Sequence, residues 1–507
     1  MSAEDYQRPP IDLRMFPAAV LCWTGCWWVV AQPPAGGALV TVAALVAAFA
    51  GSVRLGRARP GRHRRTLRDR GTATVVLTGV LTAAVLGLAT VRTAERHAAI
   101  EHQPAVITGL VRPTAEAQAI AGSGRSQRYR VPARLLAVHD PDVPDGTADG
   151  DRATREVSIP VLLLTDDSWA EVPVGSAWWV RARLVPTAPG DAAAALLIVE
   201  PGAYPDEEPG WRDRAINALR GGLVRASGQL PPQARGLVPG ITLGDTRGMP
   251  PQLGDDLRVV SLTHITAVSG MHVAIVLGAV LVCLWWAPTW LRAGLGGVAL
   301  VAFAALVYPS GSVVRAGVMG GLLLLGLATG RPRSAIPALL AAVVVLLGFD
   351  PWLARDFGFV LSVVATGGLL ALAPVFAHHL QRVCPRPVAM AAAVSAAAQL
   401  VCAPVLLLLS PGLPTHGVLA NVLATPAVPP ATLLGVLATL AGPWWPGAAA
   451  TLAGIAGWFT AWIATVASFA ASLPLATVPW PEGTGGALLV VVALVGAGVR
   501  WWTRAQP

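Results

Sequence analysis

Between Val273 and Trp501 the chain offers nine apolar segments with few charges to interrupt them: 273–290, 292–308, 313–330, 335–349, 358–377, 388–409, 417–441, 448–472 and 486–500. Most approach the roughly 20 residues that a helix needs to cross the hydrocarbon core of a bilayer. The 335–349 segment is short enough to be re-entrant. Three more apolar runs open the chain, at Phe16–Ala31, Gly36–Val53 and Thr72–Val91. Only 13% of the 507 residues are charged, against about 25% in a soluble domain. The fold class expected is therefore a polytopic α-helical membrane protein of about 11–12 transmembrane helices, with a small all-β, OB-like extracytoplasmic domain inserted.

Charge sets the expected orientation. The formal net charge is +9, and the Arg54–Arg70 loop alone holds eight Arg against Asp69. Arginines clustered between apolar spans hold a loop in the cytoplasm, so this loop argues topology before nucleic-acid binding. The alternation then puts Arg292, Arg331/Arg333, Arg382/Arg386 and Arg500/Arg504 on the inner side, both termini in the cytoplasm and the long polar region outside. Gln32-Pro33-Pro34 followed by a second apolar run reads as a helical hairpin rather than a cleavable signal. There is no Lys, so all 37 basic residues are Arg and an ATP-binding loop with its Lys is excluded. Cys22, Cys26, Cys283, Cys384 and Cys402 lie in or beside apolar segments, where packing is their expected use.

Four regions follow: 1–94, N-terminal transmembrane helices; 95–210, the β domain; 211–271, amphipathic helices and a polar lead-in; and 272–507, the main transmembrane domain. Strands are expected at Ala105–Arg112, Ser126–Val138, Arg155–Thr165, Ala177–Val185 and Ala193–Val199, short, aliphatic and separated by turn residues. Ten Arg against seventeen acids make 95–210 acidic, whereas a strand-gripping surface should be basic and aromatic. Arg125, Arg128, Arg130 and Arg134 beside Tyr129 are its candidate nucleic-acid contact. In 211–262 a leucine-rich amphipathic pattern is expected to break at Pro231-Pro232, Pro239-Gly240 and Pro250-Pro251.

The run Leu262-Thr263-His264-Ile265-Thr266-Ala267-Val268-Ser269-Gly270-Met271-His272-Val273 leads straight into the apolar block. Polar groups at membrane depth are expensive unless they face a cavity, so this lead-in points to a transport path rather than an anchor. Ser269, Gly270, His272, Arg315, Ser362, Gln399, His416 and Asn421 are the candidate path residues, with His264 and Asp356 in support. Each also has a plain packing use. Gly270 suits a close helix approach, Ser269 a bond back to its own helix, Asn421 an interhelical contact, and Arg315 with Asp356 an internal ion pair. The Trp pairs 285/286, 444/445 and 501/502 fit an interfacial belt. His264 and His272 near Asp255/Asp256 present no nucleophile–base arrangement, so no enzyme activity, metal or cofactor is expected.

Several motifs recur in a fixed order. Arg235-Gly236-Leu237-Val238-Pro239-Gly240-Ile241-Thr242-Leu243-Gly244-Asp245 precedes Val268-Ser269-Gly270-Met271-His272-Val273. Val314-Arg315-Ala316-Gly317-Val318-Met319, Asp350-Pro351-Trp352, Asp356-Phe357-Gly358-Phe359-Val360-Leu361-Ser362, Gln399 before Ala403-Pro404, and Leu419-Ala420-Asn421-Val422-Leu423-Ala424-Thr425-Pro426 follow. This order closely resembles the ComEC family of competence proteins across the whole chain. The resemblance implies a channel that carries single-stranded DNA across the bacterial cytoplasmic membrane in natural transformation. It implies membrane lipid, a DNA receptor, and a cytoplasmic ATP-driven motor or separate nuclease as partners. Two departures stand out. Val360 sits where the family often has Gln, and no H-x-H-x-D-H cluster of a C-terminal metallo-β-lactamase-like domain is present, so degradation of the other strand is expected to fall to another protein. A secondary transporter or exporter of a lipid-linked or small-molecule substrate is the competing expectation, although no internal repeat of the kind carriers show is evident.

Overall fold

The structure, a computed structural model, describes residues 13–32, 65–101, 103–120, 127–139, 154–308, 311–330, 335–409 and 412–505; the apolar run at Gly36–Val53 and most of the Arg54–Arg70 loop lie outside them. Helices α1 (Phe16–Val29) and α2 (Arg65–Glu101) come first. Strands β1 (Val106–Pro113), β2 (Gln118–Ile120), β3 (Arg128–His139), β4 (Thr154–Thr165), β5 (Ala177–Pro186), β6 (Ala195–Val199) and β7 (Tyr204–Glu207) follow. Short helices α3 (Trp211–Ser227), α4 (Pro232–Leu243), α5 (Pro251–Val259) and α6 (Thr263–Thr266) lead to α7 (Gly270–Cys283), α8 (Thr289–Leu306), α9 (Gly311–Ala328) and α10 (Ala335–Phe349). The chain continues through α11 (Phe357–Leu380), α12 (Arg386–Leu406), α13 (Gly417–Ala424), α14 (Val428–Ala441), α15 (Pro446–Ser472) and α16 (Gly483–Ala505). A two-stranded pair, β8 (Leu413–Pro414) with β9 (Thr477–Val478), joins the loops around α13 and α15.

Among the described residues, seven spans have the length and hydropathy of a membrane crossing: the Thr74–Glu101 part of α2, α8, α9, α11, α12, the α13–α14 pair (Gly417–Ala441) and α15. The apolar helices α1, α7, α10 and the Gly483–Leu494 part of α16 are shorter. The chain is mostly helical with a small β barrel, as a membrane protein with one inserted β module should be. The expected segment at 273–290 ends earlier, at Cys283, because Pro288 cannot donate into a continuing helix and Trp285 and Trp286 turn outward.

The chain folds as two compact units, residues 1–217 with 333–356 and residues 218–332 with 357–507. In the first unit α1 closes on α2 at Gly25, where a Cβ would stand 2.6 Å from Leu86. Cys22 and Cys26 are fully buried in α1, which agrees with a packing use. The barrel closes in the order β1–β3–β4–β6–β5 and back to β1, with β4–β6 parallel and the remaining pairs of the ring antiparallel. Along β1 and the second half of β3 inward residues alternate with outward ones, as a half-buried strand requires. Val111, Leu163 and Leu197 point inward with no exposed surface. The five expected strands correspond to β1, β3, β4, β5 and β6. The sequence pattern omits β2 and β7, which are three and four residues long with every residue exposed, too short and too polar for a two-residue period to register. The barrel's turn at Pro189–Asp191 is tied to other parts of its own unit, with Arg96 of α2 donating to the Asp191 carbonyl and Arg355, in the segment after α10, to that of Pro189.

In the second unit α4 is the most enclosed element. Its residues from Gly236 to Leu243 are all buried. The helix runs through Pro239, correcting the break expected at Pro239-Gly240, since a proline near the end of a short, packed helix forfeits a single internal bond. Three glycine contacts let neighbours close on it and on α3. A Cβ on Gly435 of α14 would overlap the Thr242 hydroxyl, one on Gly236 would strike the Met249 backbone, and one on Gly222 of α3 would stand 3.0 Å from the Gly442 backbone. Small residues at such crossings are the usual means of helix association in lipid. The helix ends on Gly244 at φ +75°, which only a glycine adopts freely. The next residue, Asp245, is buried and receives a two-pronged ion pair from Arg247, with bonds of 2.9 and 2.7 Å. Burial opposes ionisation of this carboxyl, yet the Arg247 bonds and charge hold it below its ordinary value.

Two outcomes test this packing. Gly435→Ala should cost about 1–3 kcal/mol as an overpacked contact, and Thr242→Ala in the same chain should restore part of the loss, both read as thermal unfolding in detergent. A carboxyl held low stabilises the fold above its unfolded value near 3.9 and loses that contribution as pH falls through its folded value. The wild-type melting temperature should therefore fall more steeply below about pH 4 than that of Asp245→Asn, which should start lower at neutral pH.

Candidate functional site

Ser269 caps α7 from an extended conformation, φ −132° and ψ −179°, with His272 one turn in. The Ser269 N–H donates to His272 Nδ1 at 3.2 Å. That bond requires a bare Nδ1 and puts the proton of the neutral ring on Nε2. His272 is 0% exposed; its Nε2 has the Ile265 carbonyl nearby but no hydrogen bond of ordinary geometry. His272 is therefore a fixed part of the α7 start rather than a residue reaching toward the interface. His264 lies close enough to His272 for like charges to repel, and its Nδ1 meets the Ser261 carbonyl at 2.9 Å. Ser261 holds the left-handed backbone, φ +56°, that makes the turn between α5 and α6.

Gly270 makes room for an arginine. A Cβ there would stand 3.1 Å from Arg315 Nη2, on the neighbouring α9. Arg315 is 4% exposed. Ser362 Oγ of α11 accepts from its Nε at 2.9 Å and from Nη2 at 2.6 Å, while Met319 Sδ receives Nη1 at 2.9 Å. Ser312 Oγ shares a 3.0 Å bond with the same Ser362 hydroxyl. The partners of this guanidinium are thus a hydroxyl and a thioether, in place of the carboxylate that the sequence suggested. Helical register accounts for the difference: Ser312 and Arg315, three apart on α9, share the face turned to Ser362.

A second group forms at the far end of α12 and the start of α13. Gln399 Nε2 donates to the Pro414 carbonyl at 2.6 Å, and Oε1 is buried without a partner. A Cβ on Gly417 would press on that Oε1 at 2.9 Å and on the Val260 carbonyl at 3.3 Å. His416 precedes Gly417 and buries an unpaired Nδ1. Asn421 Nδ2 bonds back to the Gly417 carbonyl at 2.9 Å, so it serves its own helix rather than a neighbour.

The eight candidate path residues therefore all fall in the second unit. Ser269, Gly270 and His272 converge with Arg315 and Ser362, and Gln399, His416 and Asn421 converge around Gly417. Sequence reasoning missed Ser312, Met319 and Gly417. The i, i+3 pairing of Ser312 with Arg315 was the available signal; a glycine's close contact leaves none. Asp356 belongs to the first unit, as do the barrel arginines. Arg128, Arg130 and Arg134 alternate outward along β3, all exposed, with Arg130 bonded to Gln118 and Arg134 to Ser158. Arg125 lies outside the described residues. Asp255 binds Arg258, and Asp256 accepts from Ser468 at 2.6 Å, so both acids near the histidines already have partners.

Residues 241–505, just over half of the chain and all of this site, match the competence protein family. The chain belongs to that family. Over 156 residues the competence protein is 30% identical to ComE operon protein 3 of Bacillus subtilis (strain 168), a match that covers 29% of this chain and 19% of that relative's length. No solved structure matches. Within the competence region, α7, α9 and α11 all begin at the polar cluster, while Trp285, Trp286, Trp444 and Trp445, each at least 70% exposed, follow the opposite ends of α7 and α14. Indoles so placed suit a membrane interface.

The Arg315–Ser362 contact gives a direct test. Ser362→Ala strands two donors of a buried cation and should cost about 1.5–3 kcal/mol of unfolding free energy, while Ser312→Ala, which removes a neutral bond, should cost about 1 kcal/mol.

Proposed function

We propose that this multi-pass membrane protein forms the path by which one strand of DNA crosses the cytoplasmic membrane during natural transformation. The observation that carries the reading is the gathering of seven polar residues, with Gly270, in two groups of the competence region. They come from parts of the chain as distant in sequence as α7 and α13. A strand crossing a bilayer needs its phosphates hidden from lipid by polar groups too weak to trap it. Hydroxyls, two amides, imidazoles and a lone guanidinium meet that need.

In this reading the barrel is an OB-like module on the outer face and both termini are cytoplasmic. The closed five-strand ring supports the OB assignment, and the outward Arg128, Arg130 and Arg134 offer phosphate contacts on β3. The protein performs no bond-breaking step itself; strand degradation and the energy for transport come from partners, consistent with the missing ATP-binding loop.

Labelled DNA given to a deletion strain, complemented with wild type or with His272→Ala, tests the reading. Surface-bound DNA should remain sensitive to external DNase in the deletion and in His272→Ala, with the variant protein present in the membrane at wild-type level. Normal import by the deletion strain would sink the channel reading and direct attention to a small-molecule or lipid-linked substrate.

A further inference from the structure

The buried arginine of the competence region has no counter-charge among the described residues. Arg315 is 4% exposed, and its three hydrogen bonds go to Ser362 and Met319. A guanidinium carries five N–H donors, so two are left over. An ionised group taken out of water normally has an opposite charge beside it, since a hydroxyl and a thioether return little of the lost hydration.

Other positive potential points the same way. Helices α7 and α9 both start at this place, and each helix start carries about half a positive charge with unsatisfied N–H groups. At the start of α7 the Ser269 carbonyl takes the His272 and Val273 N–H groups, and His272 Nδ1 takes that of Ser269. The N–H groups of Gly270 and Met271 are left without a partner among the described residues. Gly270 lacks the Cβ that would close the gap to the guanidinium, and the neighbouring Ser312, Ser362 and Ser269 are only partly buried, so the cluster is not sealed. The open first turn of α7 and the buried guanidinium are thus immediate neighbours, with only Gly270 between them.

We infer that Arg315, the Ser312–Ser362 hydroxyl pair and the first turn of α7 form a seat for one phosphate oxyanion, occupied in transport by successive phosphodiesters of the strand. The inference rests on the DNA reading above for its ligand, though the anion chemistry stands by itself. A single seat holds one phosphate at a time, so it registers the backbone and is indifferent to base sequence. The shared Ser362 hydroxyl fixes the fork of the guanidinium, so a passing phosphate meets donors already oriented.

The test uses the purified full-length protein in nanodiscs, with a fluorescent single-stranded oligonucleotide and with inorganic phosphate. For wild type, log affinity for the oligonucleotide should fall with log salt, and Arg315→Met should flatten that slope by about 0.7, the share of one phosphate contact on a single strand. Arg315→Met should also melt at or above the wild-type temperature, because removing an uncompensated buried charge relieves the apo fold; a purely structural arginine would instead give a less stable protein. Arg315→Lys should keep the slope and bind more weakly, since an ammonium cannot hold the fork. Should Arg315→Met fail to reach the membrane, Arg315→Gln carries the same comparison. A slope unchanged by both substitutions overturns the seat and leaves the DNA reading standing. Phosphate raising the melting temperature of wild type but of neither neutral variant, with no oligonucleotide binding, keeps the seat and sinks the DNA reading. No Arg315-dependent effect of either probe rejects the seat outright.

Discussion

Helices in a bilayer gain little from the hydrophobic effect when they meet, because lipid chains are as apolar as their own side chains, and close contact between backbones has to do the work instead. The second unit uses the same kind of contact at α4. Its side chains from Gly236 onward are buried, and its neighbours approach through glycines: Gly435 against Thr242, and Gly222 against Gly442 between α3 and α14. From this fixed helix the chain turns through Gly244 into the Asp245–Arg247 pair. Arg220 completes the corner, donating to the Leu243 and Leu306 carbonyls with its guanidinium 4.3 Å over the Tyr308 ring. The position of α5, α6 and hence of the α7 start follows from how α4 is held.

That packing has an electrostatic consequence. In a region of low dielectric a misplaced charge is costly, so each polar group is either locked or functional. Arg220 and Asp245 are locked, with carbonyls, an aromatic face or a counter-charge around them. Arg315 is different, since its surroundings satisfy its geometry without neutralising it. His272 lies between these cases: its Nδ1 completes the cap of α7 while Nε2 keeps an unused donor in a buried setting.

Much of the site was legible in the sequence because lipid makes polar residues conspicuous. Ser269, His272, Arg315, Ser362 and Gln399 stand out against Val, Leu and Ala for that reason, and all fall in the competence region's two polar groups. The partners were less legible. An ion pair of Arg315 with Asp356 follows naturally from charge, but choosing between a carboxylate and the Ser362 hydroxyl needs the rotation of α9 about its own axis. Asn421 reads equally well as a bridge between helices or as a bond to its own backbone, and the structure has the second. The break expected at Pro239-Gly240 fails for a related reason. Proline's local cost is fixed, whereas the burial that outweighs it comes from α14 and α15.

The sequence by itself determined the membrane-spanning helical class, the β character of the inserted region and which residues are polar within the apolar helices. These are properties of composition and period, which a bilayer and a half-buried sheet read directly. Only the tertiary structure decided the closure of the barrel through the β1–β5 and β4–β6 pairs, the glycine contacts around α4 and the company that Arg315 keeps. Those depend on which residues distant along the chain come within a few ångströms of each other, and contact over that range is set by packing rather than by local pattern.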